Sequence, residues 1–305
     1  MEAGSATPRP VLVVGDVVTD LIVRLREPLV HGSDTRAAID LRPGGSGANQ
    51  AAWLAYLGLE VDFVGRVGTD PWSAYHLEQL RHAGVRPHLV RDPHRPSGVI
   101  VVLVDPDGER SMLTDRGANL GLRPDDLPAN LFLPAAHLHL SGYTLFEPHT
   151  RPAALEALRL ARERGMSVSV DPSSAALLRD VGPDRFLEWT RDLDLCFPNL
   201  DEGRLLSGRT DPLEVARTLC RRYREVALKL GPNGALWMGA AGAPLTGVAD
   251  PATVVDTTGA GDAFAAGFLA RWLAAASPGD ALANGLRLAS LAVEQVGARP
   301  PSRSI

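Results

Sequence analysis

The chain is poor in several features that would have fixed its class early. It has two cysteines in 305 residues, Cys196 and Cys220, with no spacing typical of a metal site. Both lie in apolar or helical contexts and read as buried thiols rather than a disulfide, which fits a reducing cytoplasm. No apolar run approaches the roughly 18 residues that suggest a membrane span. The segment 1–10 is polar and lacks the apolar centre of a signal peptide, so a cytoplasmic protein with no membrane partner is expected. Lys and Arg number 31 against 36 Asp and Glu, for a net charge of −5, and no basic cluster stands out. A nucleic-acid partner is therefore not expected. No Gly-x-Gly-x-x-Gly turn follows the first strand-like run, which argues against a dinucleotide-dependent dehydrogenase. Internal repeats and low-complexity segments are also missing. An anionic ligand remains open, because backbone amides bind anions whatever the net charge.

What is present is a hydrophobic fraction of 45%, enough for a sizeable core. Strand-like runs at 11–15, 61–64, 138–140, 167–170, 193–197 and 226–230 alternate with helical spacing at 48–57, 72–82, 152–164 and 213–223. Helices are expected again at 260–276 and 280–295. This alternation predicts an α/β fold, three layers deep, around a mainly parallel sheet. Residues 21–41 and 99–114 break the rhythm with strand-like alternation and no helix between. The second carries Asp105-Pro-Asp-Gly108, a hairpin turn signal. Both are expected in a small antiparallel lid outside the main sheet, with two ordinary surface hairpins as the alternative. One domain spanning 1–305 accommodates all of this.

The most informative segment is Asp256-Thr-Thr-Gly-Ala-Gly-Asp262, followed by a helix. Small residues at 259–261 let backbone approach a ligand, and the free amides and positive end of the helix favour a phosphate. A carboxylate there makes a poor phosphate ligand but a good acceptor for the proton of an attacking hydroxyl. Stabilisation of the helix start by Asp262 is the competing explanation. Three more segments stand at strand ends. Gly15-Asp-Val-Val-Thr-Asp20 puts a carboxylate where a diol could bind, with Asp16 as a turn residue. Pro43-Gly-Gly-Ser-Gly-Ala-Asn49 offers backbone groups and an amide suited to hydroxyls, or simply a Gly-rich turn. Phe197-Pro-Asn199-Leu-Asp-Glu202 could hold a hydrated Mg²⁺, or form a capping box. Lys229, before Gly231-Pro-Asn-Gly234, could reach a phosphate or be a solvated strand end.

Taken in their order along the chain, these motifs resemble the ribokinase-like (PfkB) carbohydrate kinases over about 11–298, most closely the ribokinase branch. The resemblance implies phosphoryl transfer from ATP to a hydroxyl of a small sugar. It implies Asp262 as catalytic base, with Gly259, Ala260 and Gly261 as anion hole. Asp20, Gly44, Gly45 and Asn49 would hold the acceptor. Asn199, Glu202, Lys229, Gly231, Gly234 and Thr257 would serve the nucleotide, Glu202 also Mg²⁺ through water. Carbonyls near Asp256 to Thr258 and the turn at Gly297 would bind K⁺. Val18 and Ser46 stand where ribokinases usually carry Asn and Lys, which departs from a ribose site, and Lys229 is similar to the lysine of 2-keto-3-deoxygluconate kinases. The acceptor is left open among ribose- or fructose-like sugars, a keto-deoxy sugar acid met by Arg110 and Arg116, and a nucleoside. A non-catalytic sugar-binding protein on a degenerate kinase fold is the reading from another class. A homodimer through the lid is a further expectation.

Overall fold

The computed structural model describes residues 10–301 apart from 108, 134, 240 and 241, and omits the side chain of Arg110. The chain opens β1 (Val11–Val14), β2 (Val18–Leu25), β3 (Ala37–Gly44), α1 (Ser46–Tyr56), β4 (Val61–Val67), α2 (Pro71–His82) and β5 (Arg86–Arg91). It continues β6 (Gly98–Val104), β7 (Arg110–Asp115), β8 (His137–Ser141), α3 (Tyr143–Phe146), α4 (Arg151–Glu163), β9 (Ser167–Asp171), α5 (Ala175–Val181) and α6 (Pro183–Trp189). It closes β10 (Leu195–Cys196), α7 (Leu200–Ser207), α8 (Pro212–Leu219), β11 (Glu225–Lys229), β12 (Ala235–Gly239), β13 (Leu245–Gly247), α9 (Ala260–Leu273) and α10 (Pro278–Val293).

Among the described residues nine strands form the main sheet, in the order β13-β12-β11-β10-β9-β8-β1-β4-β5. Pairing is parallel from β5 to β11 and antiparallel only through β12 and β13. Both faces are covered, as the near-continuous apolar strands require. Leu12, Val14, Leu138 and Leu140 face one cluster with α4 to α8. Val11, Val13, Val61 and Phe63 face the other, with α1, α9 and α10. On that second face a buried polar ladder runs along β8 and β9. His137 and His139 share Ser169 Oγ at 2.7 Å each, and His139 Nε2 meets Gln50 Oε1 at 2.9 Å.

Helix starts follow their local chemistry. Asp211 caps α8 with Pro212 behind it, and Ser277 caps α10 ahead of Pro278. The helix expected over 213–223 ends at Leu219, and the one over 260–276 stops at Leu273, with Ala275 in the left-handed region.

The second sheet has the order β3-β2-β6-β7 and contains both segments expected in the lid. Its outer pairs are antiparallel, while β2 and β6 run parallel in register from Val18 beside Gly98. The Asp105 turn closes β6 onto β7, with Asp105 Oδ1 accepting from Asp107 N and Glu109 N; Gly108 lies outside the described residues. Among the described residues no helix is long and apolar enough to cross a membrane. Cys196 and Cys220 are both free thiols, the first buried.

Candidate active site

The site lies beyond the carboxyl ends of β1, β8, β9 and β11, where an open parallel sheet presents its loops. Its floor is the start of α9. Gly259 is left-handed (φ 78°), and a Cβ there would come within 2.5 Å of Ala298. Unlike α7, α8 and α10, α9 has no side-chain cap. Its first amides therefore have no side-chain cap, and they carry the positive end of the helix dipole.

Asp262 sits in that first turn, yet its carboxylate is not turned back on the helix. It accepts from Ser46 Oγ at 2.7 Å and from Asn49 Nδ2 at 3.0 Å, both on α1. Burial pushes its pKa up to about 7, with the charge of Asp171 adding to the effect and the Asn49 and Ser46 bonds opposing it. Its oxygens bond to α1 rather than to the amides of its own helix.

Asp16 holds the Gly-rich turn that begins α1. It accepts from Ser46 N, Gly47 N and Ser141 Oγ, the turn role expected of it. Gly45 (φ 93°) presses on Val17, where a Cβ would meet Val17 Cα at 2.7 Å. Gly44 has Asp20 directly over it: a Cβ would fall 2.2 Å from Asp20 Oδ2. Asp20 is 5% exposed, and no hydrogen bond from another described residue reaches its carboxylate. Burial raises its pKa to about 7, Arg299 pulling it down and Asp16 pushing it up. Two acceptor oxygens are therefore left for hydroxyls. Asn49 differs from expectation. Its donor is engaged by Asp262 and its acceptor by Arg299 Nε at 2.9 Å, so it positions other groups before it offers anything to a ligand.

On the opposite side, Lys229 is not a solvated strand end. Its Nζ donates to Asp171 Oδ2 at 2.7 Å and lies 3.3 Å from where a Cβ on Gly261 would be. Burial works against its charge, but Asp171 and then Glu202 hold its pKa up. Asn199 and Glu202 form a complete capping box on α7: Asn199 Oδ1 accepts from Glu202 N, and Glu202 accepts from Asn199 N and Nδ2. Glu202 is 1% exposed, and burial lifts its pKa to about 7 despite Lys229. Among the described residues no group of three His, Cys, Asp or Glu could hold a metal ion by itself. A divalent ion therefore fits here only with ligands from a nucleotide and water.

Gly231 and Gly234 are both left-handed, and a Cβ on Gly234 would overlap Gly247 O at 1.9 Å. Beside this approach, a cleft of about 630 Å³ opens between β13 and α10, lined by Gly247, Val248, Leu282 and Leu286 among others. Asp256 links the two segments expected around a monovalent cation, accepting from Thr258 N and Gly297 N. Thr257 accepts weakly from Ala260 N through its carbonyl at 3.4 Å. Of the two lid arginines, Arg116 stacks 4.2 Å from the centre of the Tyr143 ring and lies 3.8 Å from Asp16. The side chain of Arg110 lies outside the described residues.

Asp171 and Arg299 were not anticipated. Asp171 carried the signal that singled out Asp20, a carboxylate at a strand's end. Arg299 had none beyond its place just after Gly297.

The sequence matches the profile of the pfkB family carbohydrate kinases over residues 9–305. It is 34% identical over 266 residues to an ATP-dependent ribose-1-phosphate kinase of Halopiger xanaduensis, covering 86% of this chain and 84% of that protein. It is 32% identical over 293 residues to a fructokinase of Klebsiella pneumoniae, covering 91% and 89%. The solved structure of adenosine kinase from Sinorhizobium meliloti superposes with a TM-score of 0.87 at 27% identity, covering 96% of both chains. The chain belongs to the pfkB family of carbohydrate kinases and is a sugar or nucleoside kinase.

Proposed function

We propose that the chain transfers the γ-phosphoryl group of ATP to a hydroxyl of a small sugar, with Asp262 as the base. The observation that carries this is the placement of Asp262. Its carboxylate is held by α1 rather than spent on capping, beside a helix start whose amides have no side-chain cap. The acceptor hydroxyl would be positioned by Asp20 and the Gly44–Gly45 backbone. Asp262 would take its proton as attack begins. The amides of Gly259, Ala260 and Gly261 would face the charge that accumulates on the transferring group, stabilising it where water is excluded. Lys229, fixed by Asp171, would add a positive charge to the same turn.

The nucleoside end of ATP suits the cleft between β13 and α10, reached past Gly231 and Gly234. Mg²⁺ bound to the phosphates would supply charge neutralisation, with Glu202 meeting its waters. Its capping bonds leave Glu202 only part of its acceptor capacity. Asp256 would orient the carbonyls of a K⁺ site through its bond to Gly297 N.

Relatives named as kinases of ribose 1-phosphate, fructose and 2-dehydro-3-deoxygluconate support ribose- and fructose-like sugars and keto-deoxy sugar acids as the first acceptors to test. A structural neighbour named adenosine kinase keeps nucleosides as the second reading. An intact Asp262 and Gly259–Gly261 turn argues against a silent sugar binder.

The test is acceptor-dependent ADP release across a panel of sugars, sugar phosphates, sugar acids and nucleosides, with the phosphorylated product identified. Stoichiometric phosphorylation of one acceptor class is expected. ADP release that no acceptor stimulates would remove the reading.

A further inference from the structure

The acceptor end of the crevice contains three carboxylates and a guanidinium that none of them touches. Asp20, Tyr75, Asp262 and Asp16 all act on the charge of Arg299. Yet among the described residues no carboxylate oxygen lies within 4.0 Å of it. The other cations nearby are engaged: Arg116 by Asp16 and the Tyr143 ring, Lys229 by Asp171.

Arg299 is held by a built framework. Gly297 N donates to Asp256 Oδ2 at 3.0 Å, Trp53 Nε1 donates to Ala298 O at 3.0 Å, and Gln295 Nε2 donates to Arg299 O at 2.8 Å. The side chain is fixed as well, Nε donating to Asn49 Oδ1 at 2.9 Å and Nη2 to Gly44 O at 3.4 Å. These neutral contacts take two of its five N–H groups, and the rest have no partner among the described residues. The methylenes of Arg42, on lid strand β3, lie against the same turn, with Cγ 3.4 Å from where a Cβ on Gly297 would be.

Arg299 is half-buried, so the N–H groups that its neutral acceptors leave over are accessible, and an anion can complete the fork. Burial lowers its pKa to about 10 against the pull of the neighbouring carboxylates, and among the described residues no anion pairs directly with it. A neutral sugar would not change that, since its hydroxyls are already served by Asp20 and backbone. Asn49 sets the distance: one side of its amide touches Asp262, the other Arg299. Base and guanidinium are therefore at most roughly 8 Å apart, two hydrogen bonds and an amide width. That is the span of a small sugar with a reacting hydroxyl at one end and a charged group at the other.

We propose that Arg299 is a specificity-determining residue that binds an anionic group, a phosphate ester or a carboxylate, carried by the acceptor. The inference rests on the kinase reading above. The reaction keeps its balance: the acceptor oxygen bonds to the γ-phosphorus, the bond to the ADP oxygen breaks, and the proton passes to Asp262. The anionic group is bound and not consumed.

The experiment measures kcat/KM with ATP and Mg²⁺ for matched pairs: ribose and ribose 1-phosphate, fructose and its monophosphates, and a neutral deoxy sugar and 2-keto-3-deoxygluconate. The pairs separate phosphate from carboxylate. The intact enzyme should favour one anionic member over its neutral partner by at least about 10-fold, since a charge-assisted bond contributes about 1.5–3 kcal/mol. Arg299→Met should lower that preference by about 10- to 100-fold, chiefly through KM, and Arg299→Lys should restore part of it. Melting temperatures of both variants show that they fold, and the Lys variant keeps the test valid if Met does not. An enzyme that phosphorylates neutral sugars as well as charged ones, or a preference unaltered in Arg299→Met, overturns the inference and leaves the kinase reading intact. Failure to phosphorylate any acceptor overturns both.

Discussion

Asp262 has to be ionised to act as a base, yet its surroundings favour the neutral acid. Burial and the Asp171 charge raise its pKa to about 7, while the bonds from Asn49 and Ser46 favour the carboxylate. Activity should therefore rise with pH through the neutral range. Ser46→Ala removes a 2.7 Å O–H donor and should move the acid limb of the kcat/KM profile to higher pH. A limb that stays in place in the variant would mean another group titrates there. Asp20 has a separate duty. Asp20→Ala should weaken acceptor binding by about 1.5–3 kcal/mol and ATP binding far less, and calorimetry with each ligand checks it. Equal losses for both ligands would count against the assignment. Asp262 and Asp20 were legible in the sequence because each stands at a glycine-rich turn or strand end, a local pattern. Arg299 and Asp171 were not, because their partners come from far along the chain: Asn49 lies 250 positions from Arg299, and Lys229 lies 58 from Asp171. Lys229 illustrates the same limit, since a strand-end lysine and a buried ion pair look alike in one dimension.

At the level of elements, α1, α9 and the 297–299 turn act as one unit. Ser46 and Asn49 reach from α1 to Asp262, Gly259 packs on Ala298, and Trp53 of α1 donates to Ala298 O. Trp53→Phe deletes one buried hydrogen bond and should cost about 1–2 kcal/mol in denaturant unfolding. It should also raise acceptor KM, because Arg299 follows Ala298. A variant with lowered stability and unchanged KM would uncouple the turn from the site. The alternation of long strands and helices could be read from periodicity, and so could the lid, from two strand-like stretches without a helix. The parallel β2–β6 pairing could not, since a hairpin signal fixes only neighbours in sequence. Short α5 and α6 and the two-residue β10 offer too few residues for a period to show. At 199–202 the structure shows the capping box, the local alternative that the sequence offered beside a Mg²⁺ role.

For the whole molecule, the lid presents one apolar face. Leu41, Leu21, Val101 and Leu113 lie in register across four strands, and Ile39 and Leu113 are 58% and 59% exposed. A second lid would bury that face. Sedimentation should show a dimer that Ile39→Lys disrupts, and a monomer at micromolar concentration would contradict it. Acceptor binding should slow hydrogen exchange in 21–41 and 99–114 together, as closure excludes water from the crevice. Stability reflects opposing groups. Asp20, Glu202 and Asp262 have folded pKa values raised to about 7, so their contribution is full below the unfolded carboxyl pKa and is lost as pH rises through about 7. His76 and His139, lowered to about 3, act the other way, losing stability as pH falls below about 6.5. Asp262→Asn removes one of the first set. It should melt higher than the parent at about pH 8, and its stability should fall more steeply toward acid.

The same variant tests the account most directly. Steady-state turnover and acceptor affinity of Asp262→Asn, measured with the acceptor that the panel identifies, separate a base from a structural carboxylate. The shape is kept and the proton acceptor is gone, so kcat should fall by about 10²-fold or more while acceptor affinity barely changes. Turnover close to that of the parent enzyme would show that Asp262 is not the base and would contradict the mechanism.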